Sequence, residues 1–196
     1  MLPSPLQCFA AGHDQPTPQH FALAIYGGAF DPPHAGHASV IRRVLDSCDQ
    51  VLVVPSYQHA DGKRMADFDL RCAWVERLAA RFGDRVRCCR LEHELGADGR
   101  VIYSYDLLSR LAKQNAQPTE RLALVIGEDN LTRLKTFHRA AELRQQFGLV
   151  VADEEMTVHS SAIRAMIAAG QAIPEAWQLP EIQADLTIYR LSLIHI

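Results

Sequence analysis

Gly27-Gly28-Ala29-Phe30-Asp31-Pro32-Pro33-His34-Ala35-Gly36-His37 is the stretch whose reading decides the fold. It follows an apolar run, residues 21–26, that reads as a buried strand, and it precedes residues 38–45, which read as a helix. A glycine turn in that setting lets backbone N–H groups approach a phosphate, because no side chain blocks them, and the helix N-terminus behind it adds positive potential. His34 and His37 are three apart and share one face of a helical first turn, where two imidazoles can donate to one phosphoryl group. Gly36 between them leaves room for a nucleotide against the backbone. Two other readings compete: a turn whose histidines only cap the helix, and a zinc site. No third zinc ligand stands nearby at a recognisable spacing, so no metal ligand is assigned.

Outward from this turn, strands and helices alternate. Residues 50–55 read as a second buried strand stopped by Pro55, followed by a polar loop, 56–67, with His59, Asp61, Gly62, Lys63 and Arg64. Leu70, Trp74, Leu78 and Phe82 recur at helical spacing over 69–82, and Gly83 ends that helix. Residues 86–91 read as a third strand, 103–115 as a helix, 122–126 as a fourth strand, 131–146 as helical and 147–151 as a fifth strand. A helix over 160–169 starts at Ser160 or Ser161, and Pro180 precedes a last helical segment. This alternation predicts an α/β fold: a Rossmann-like, doubly wound parallel sheet in a three-layer α/β/α sandwich. Ligands of such sheets bind beyond the carboxyl ends of the strands, so loops 27–37, 56–71 and 127–130 are expected to converge.

Val158-His159-Ser160-Ser161-Ala162-Ile163-Arg164 is the second distinctive stretch. Serines at a helix start leave hydroxyls and free N–H groups pointing outward, and Arg164 lies about one turn on, a set suited to the terminal phosphates of a nucleoside triphosphate. A plain helix cap beside a surface arginine is the competing reading.

The chain has 196 residues, enough for one sizeable domain, and its net charge of -3 gives no footing for a nucleic-acid or membrane surface. No apolar run is long enough to span a bilayer. Five cysteines, an odd number without a C-x-x-C, fit reduced thiols in a cytoplasm. Residues 1–20 carry four prolines and little apolar periodicity, which predicts a disordered extension or a start placed too far upstream. The domain is expected over 21–190. Residues 191–196, Leu-Ser-Leu-Ile-His-Ile, match one reading frame of a transposon-end sequencing adaptor and are expected to be a non-native tail.

The eleven-residue stretch resembles the G-G-x-F-[DN]-P-x-[HT]-x-G-H signature of the nucleotidylyltransferase superfamily at every fixed position. Val158 to Arg164 resembles that superfamily's I-S-S-T-x-I-R, with His159 where the family has its first serine. Ile126-Gly127-Glu128-Asp129 resembles its I-G-x-D, Phe137-His138 its Trp-His, and Tyr103-Ser104-Tyr105-Asp106, more loosely, its S-Y-T-x-D. The likeness runs over 22–189, and the nearest branch is that of the nicotinate-nucleotide adenylyltransferases. His34 favours it over the phosphopantetheine branch, which has threonine there. Segment 152–159 is shorter than in the family.

The resemblance implies transfer of AMP from ATP to nicotinate mononucleotide, with Mg²⁺ accompanying ATP. It implies that His34, His37 and Arg164 are catalytic, and that Gly27, Gly28, Ala29, Phe30, Gly36, Ser160 and Ser161 bind ATP. Lys63, Arg71, Asp129 and Phe137 would serve the acceptor side. The alternatives are the same chemistry on nicotinamide mononucleotide or phosphopantetheine, and a nucleotide-binding module without activity. The implied partners are ATP and a mononucleotide, with no nucleic acid and no membrane; a homo-oligomer stays open.

Overall fold

The computed structural model describes residues 6–58, 62, 64–152 and 156–191. Six strands form one sheet: β1 (Gln7–Phe9), β2 (Phe21–Gly28), β3 (Cys48–Pro55), β4 (Val86–Cys88), β5 (Leu122–Gly127) and β6 (Gly148–Ala152), in the order β1-β6-β5-β2-β3-β4. All neighbours are parallel except β1, which runs antiparallel to β6. The chain winds from β2 outward to β4, then returns to β5 on the other flank of β2, so the switch point lies between β2 and β5.

Successive side chains of each strand face opposite layers, and the two layers hold separate cores. Ala24, Val51, Val53, Ala123, Val125 and Val150 pack under α1 (Ala35–Val44) and α2 (Phe68–Ala80). Leu23, Ile25, Val54, Leu124, Ile126 and Leu149 pack on the other face. That face is roofed by α3 (Leu91–Gly96), α4 (Ser104–Gln114) and α6 (Ala140–Gln146), with the single turn α5 (Glu128–Leu131) between. The first layer is completed by α7 (Ser160–Ala168), a 3-10 segment (Pro180–Thr187) and α8 (Ile188–Leu191). The three-layer α/β/α expectation therefore holds.

Three expectations change. Residues 7–9 are not a disordered extension: Gln7–Phe9 pairs with β6, and Cys8 and Phe9 are buried, one in each core. The third strand stops at Cys88, because Leu91 opens α3. The helical stretch 131–146 is broken, with Arg139 in the left-handed region (φ 53) just before α6. Residues 192–196 lie outside the described part, as does the question of their origin.

Gly148 shows how tightly the first layer is packed. A Cβ added there would lie 2.1 Å from Phe21 Cε1 and 2.4 Å from its Cζ, and Phe21 is fully buried. Gly148→Ala is expected to lower the unfolding free energy by about 1–3 kcal/mol, as overpacking a filled core does. A urea midpoint equal to the native chain's would contradict this packing.

Candidate active site

β2 delivers the chain to the turn from its carboxyl end. Phe30 takes a left-handed backbone (φ 48) and buries its ring, which packs 4.9 Å from His37 and edge-on to Tyr26 at 5.5 Å. Phe30 thus supports the turn from below rather than facing a ligand. The imidazoles of His34 and His37 lie close against each other, centroids 3.8 Å apart and planes tilted by 36°. The space left by Gly36 is taken on the protein side: a Cβ there would meet Val158 Cγ1 at 2.9 Å and His34 Nδ1 at 3.0 Å. Gly36 therefore makes room for His34 and Val158.

The backbone N–H of His34 donates to His37 Nδ1 at 3.1 Å. An imidazole accepting at Nδ1 carries its proton on Nε2 when neutral, and this assignment follows from the hydrogen bond. Burial, then the neighbouring His34, holds His37 well below the ordinary histidine range. Burial, then His159, lowers His34 to about 4. Burial thus favours the neutral form of both rings, in which each carries one N–H. His34 Nδ1 is buried without a hydrogen-bond partner.

The amino end of α7 meets this turn. His34, Gly36, His37, His159 and Ser160 line one cavity of about 180 Å³ with Tyr26, Val40 and Val158. Ser160 Oγ donates to the Pro32 carbonyl at 2.8 Å, and Arg164 Nη1 donates to the Asp31 carbonyl at 2.5 Å. The two stretches singled out in the sequence, about 125 residues apart, thus form one site. In this state Ser160 and Arg164 hold the turn itself. Ser161 lies beside them at the start of α7.

A second cavity of about 590 Å³ adjoins the first across Tyr26 and Val40. Gly27 and Gly28, Ser56 and Gln58, and Gly127 and Asp129 line it, so all three strand-end loops converge as expected. Phe137 and Asp129 lie on its wall, as do Tyr103 and His138, whose rings stack at 4.6 Å. A ring-lined recess beside the glycine turn has the lining that suits a heteroaromatic mononucleotide.

Arg71 is placed differently from the expectation. It is 1% exposed, and its guanidinium donates to the carbonyls of Ala66 (2.9 Å), Ala29 (2.8 Å) and Ser56 (2.8 Å). It ties the glycine turn to the following loop instead of reaching for phosphate, and it takes the Ala29 carbonyl with it. Lys63 and His59 lie outside the described residues.

Sequence reasoning missed Asp31, Tyr189 and Glu92 as parts of this region. Asp31 stood inside the quoted turn; Tyr189 and Glu92 had no local signal. Glu92, on α3, lines the larger cavity, and its Oε1 accepts from the Tyr57 N–H at 2.9 Å. Burial pushes its carboxyl up from 4.5 to about 7, against the Tyr57 and Gln58 amides and Arg71, which act the other way. Between those values the folded chain keeps a proton that the unfolded chain has released. Stability contributed by this group therefore falls as pH rises from about 4.5 through 7. Glu92→Gln is expected to remove a decline on the order of 1–3 kcal/mol between pH 5 and pH 8. Urea unfolding at both pH values checks it, and an unchanged difference would rule Glu92 out as its source.

Comparison with known proteins bears on what such a site does. A family model described as cytidylyltransferase-like matches residues 25–169. A Myxococcus xanthus protein named probable nicotinate-nucleotide adenylyltransferase is 33% identical over 164 residues, covering 76% of this chain and 84% of its own. A Nitratiruptor protein of the same name is 28% identical over 174 residues, covering 87% of each chain. Among solved structures, a Vibrio parahaemolyticus protein assigned as a nicotinate-nucleotide adenylyltransferase superposes with TM-score 0.72 at 28% identity, covering 85% of this chain and 98% of its own. The Plasmodium falciparum nicotinic acid mononucleotide adenylyltransferase complexed with NaAD shares the fold, with TM-score 0.66 at 16% identity over 90% of this chain and 97% of its own.

Proposed function

The chain belongs to the cytidylyltransferase-like family, and from that membership we propose that it is a nucleotidyltransferase moving AMP from ATP to nicotinate mononucleotide, with deamido-NAD and pyrophosphate as products. The observation that carries the reading is the single cavity shared by His34, His37 and the start of α7, beside a larger ring-lined recess.

The 5′-phosphate oxygen of the acceptor forms a bond to the α-phosphorus of ATP while the bond from that phosphorus to the bridging oxygen of pyrophosphate breaks. No protein nucleophile takes part. Catalysis of this kind rests on positioning and on donors aimed at developing charge. His37, its Nδ1 engaged by the His34 amide, offers Nε2–H to the α-phosphate. His34 offers a second donor from the adjacent, tilted ring. The first-turn amides of α7 and the Ser161 hydroxyl serve the leaving pyrophosphate, joined by Ser160 and Arg164 once these give up the Pro32 and Asp31 carbonyls, with Arg164 as the counter-charge. Gly27 and Gly28 let the nucleotide lie close to β2. Asp129 and Phe137, on the wall of the larger recess, serve the acceptor, Phe137 by stacking.

Among the described residues, no group of three or more His, Cys, Asp or Glu is placed to hold a metal ion. We therefore assign Mg²⁺ to the triphosphate it arrives with, and no step here depends on it. No helix among those residues is long and apolar enough to cross a membrane, and all five cysteines are free. The reduced thiols support placing the reaction in the cytoplasm. We take 21–190 as the catalytic domain, with ATP and a mononucleotide as its partners.

Pyrophosphate release from ATP, measured with each acceptor in turn, tests the reading. The expected result is fastest release with nicotinate mononucleotide. Faster release with nicotinamide mononucleotide or phosphopantetheine would overturn the acceptor, and no release with any of them would overturn the enzyme.

A further inference from the structure

We propose that Tyr189 is a positioning residue for nucleotidyl transfer: its hydroxyl holds the Asp31 carboxylate so that Arg164 can leave the turn and meet pyrophosphate. The proposal rests on the reading above and adds to it a residue from the far end of the chain.

Asp31 is 3% exposed, an acid buried under the phosphate turn. A buried carboxylate must be satisfied by donors. Oδ1 accepts from Tyr189 Oη at 2.6 Å and from the Ala66 N–H at 3.2 Å. Oδ2 faces Arg164 Nη1 at 3.5 Å, beyond hydrogen-bond range, while the same Nη1 bonds to the Asp31 carbonyl. The carboxylate is thus committed to Tyr189 and only loosely to Arg164. A phenol donating to a carboxylate at that distance makes a strong, charge-assisted bond. Burial and the adjacent carboxylate push the Tyr189 phenol upward, so it remains the donor. Arg164 keeps a side chain 36% exposed, with one backbone carbonyl as its main partner.

Tyr189 can act this way because the segment that carries it is fastened to α2. Trp74 Nε1 donates to Asp185 Oδ2 at 3.0 Å, and Arg77 reaches both that carboxylate and the Glu181 carbonyl, the latter at 2.9 Å. Ile182, Leu186 and Tyr189 enter the core, where the Tyr189 ring lies 6.2 Å from Trp74. The hydroxyl is therefore delivered from a rigid support. Without it, Asp31 Oδ1 keeps one donor. A buried anion short of a donor turns to the nearest cation, and that is Arg164. Closing the 3.5 Å gap would bind Arg164 to the turn as a full ion pair and withdraw it from the leaving group.

Tyr189→Phe keeps the ring and removes only the hydroxyl. The expected result is a KM for ATP raised about tenfold, an affinity for inorganic pyrophosphate weakened about tenfold by calorimetry, and an unchanged KM for nicotinate mononucleotide. In an Asp31→Asn background, where the competing charge is gone, the same substitution is expected to change ATP and pyrophosphate binding by less than about twofold. Native ATP and pyrophosphate affinities in Tyr189→Phe would overturn the proposal. So would an equal loss for both substrates, or an undiminished effect in the Asp31→Asn background. Pyrophosphate affinity is read without an acceptor. A failed acceptor assignment therefore shows in the native chain's release assay and a failed positioning role in the calorimetry.

Discussion

Replacing His37 with alanine is expected to lower turnover by about 10²–10³-fold while the chain stays folded, the loss typical of removing one donor aimed at developing charge. His37 lies at the mouth of a cavity, half-buried, with Phe30 4.9 Å beneath it and His34 3.8 Å beside it. Alanine removes the Nε2–H and the Nδ1 acceptor together, freeing the His34 amide to turn away. His37→Asn separates the two effects. From the third helical position its side-chain oxygen can still take the amide, as the return bond of a capping box does, but it has no donor at the reach of Nε2. Asparagine is therefore expected to restore stability and leave turnover low. Single-turnover pyrophosphate release checks both variants, and native turnover in either would remove His37 from the chemistry.

Gly36→Ala carries the second largest expected effect. The added methyl would sit 2.9 Å from Val158 Cγ1 and 3.0–3.1 Å from two atoms of the His34 ring. Val158 is buried in the first-layer core and cannot yield cheaply. The imidazole gives instead, and it slides against the His37 ring. Catalytic groups displaced by a fraction of an ångström lose much of their effect, so turnover is expected to fall by about 10²-fold. The chain is expected to lose only about 1–2 kcal/mol of stability. Gly36→Ala with Val158→Ala opens the space behind the methyl and should recover part of the turnover. If neither the single nor the double variant changes turnover, the close approach at Gly36 does not matter to catalysis.

Much of this was legible in the sequence because the deciding signals are local. Apolar runs of Val, Leu and Ile placed the five parallel strands, and the glycine turn and the two serines marked where phosphate chemistry sits. What was not legible is set by distant partners. An arginine that opens a helix after a polar loop reads the same whether it points out or in. Arg71 points in because Ala29, Ser56 and Ala66, from three separate segments, turn their carbonyls to it. Tyr189 meets Asp31 across 158 positions, and nothing around residue 189 announces that partner. Residues 7–9 read as a tail because three residues carry too little pattern, yet Cys8 and Phe9 find a core on each side of β6.

That short N-terminal ribbon has a bearing on handling the protein. It lies along Leu149, Val150 and Val151, covering amide and carbonyl groups that would otherwise stand open for a neighbouring molecule to zip onto. A version trimmed back to the start of β2 (Phe21–Gly28) would keep the glycine turn and α7 and still bare a sticky seam, one that favours clumping over catalysis.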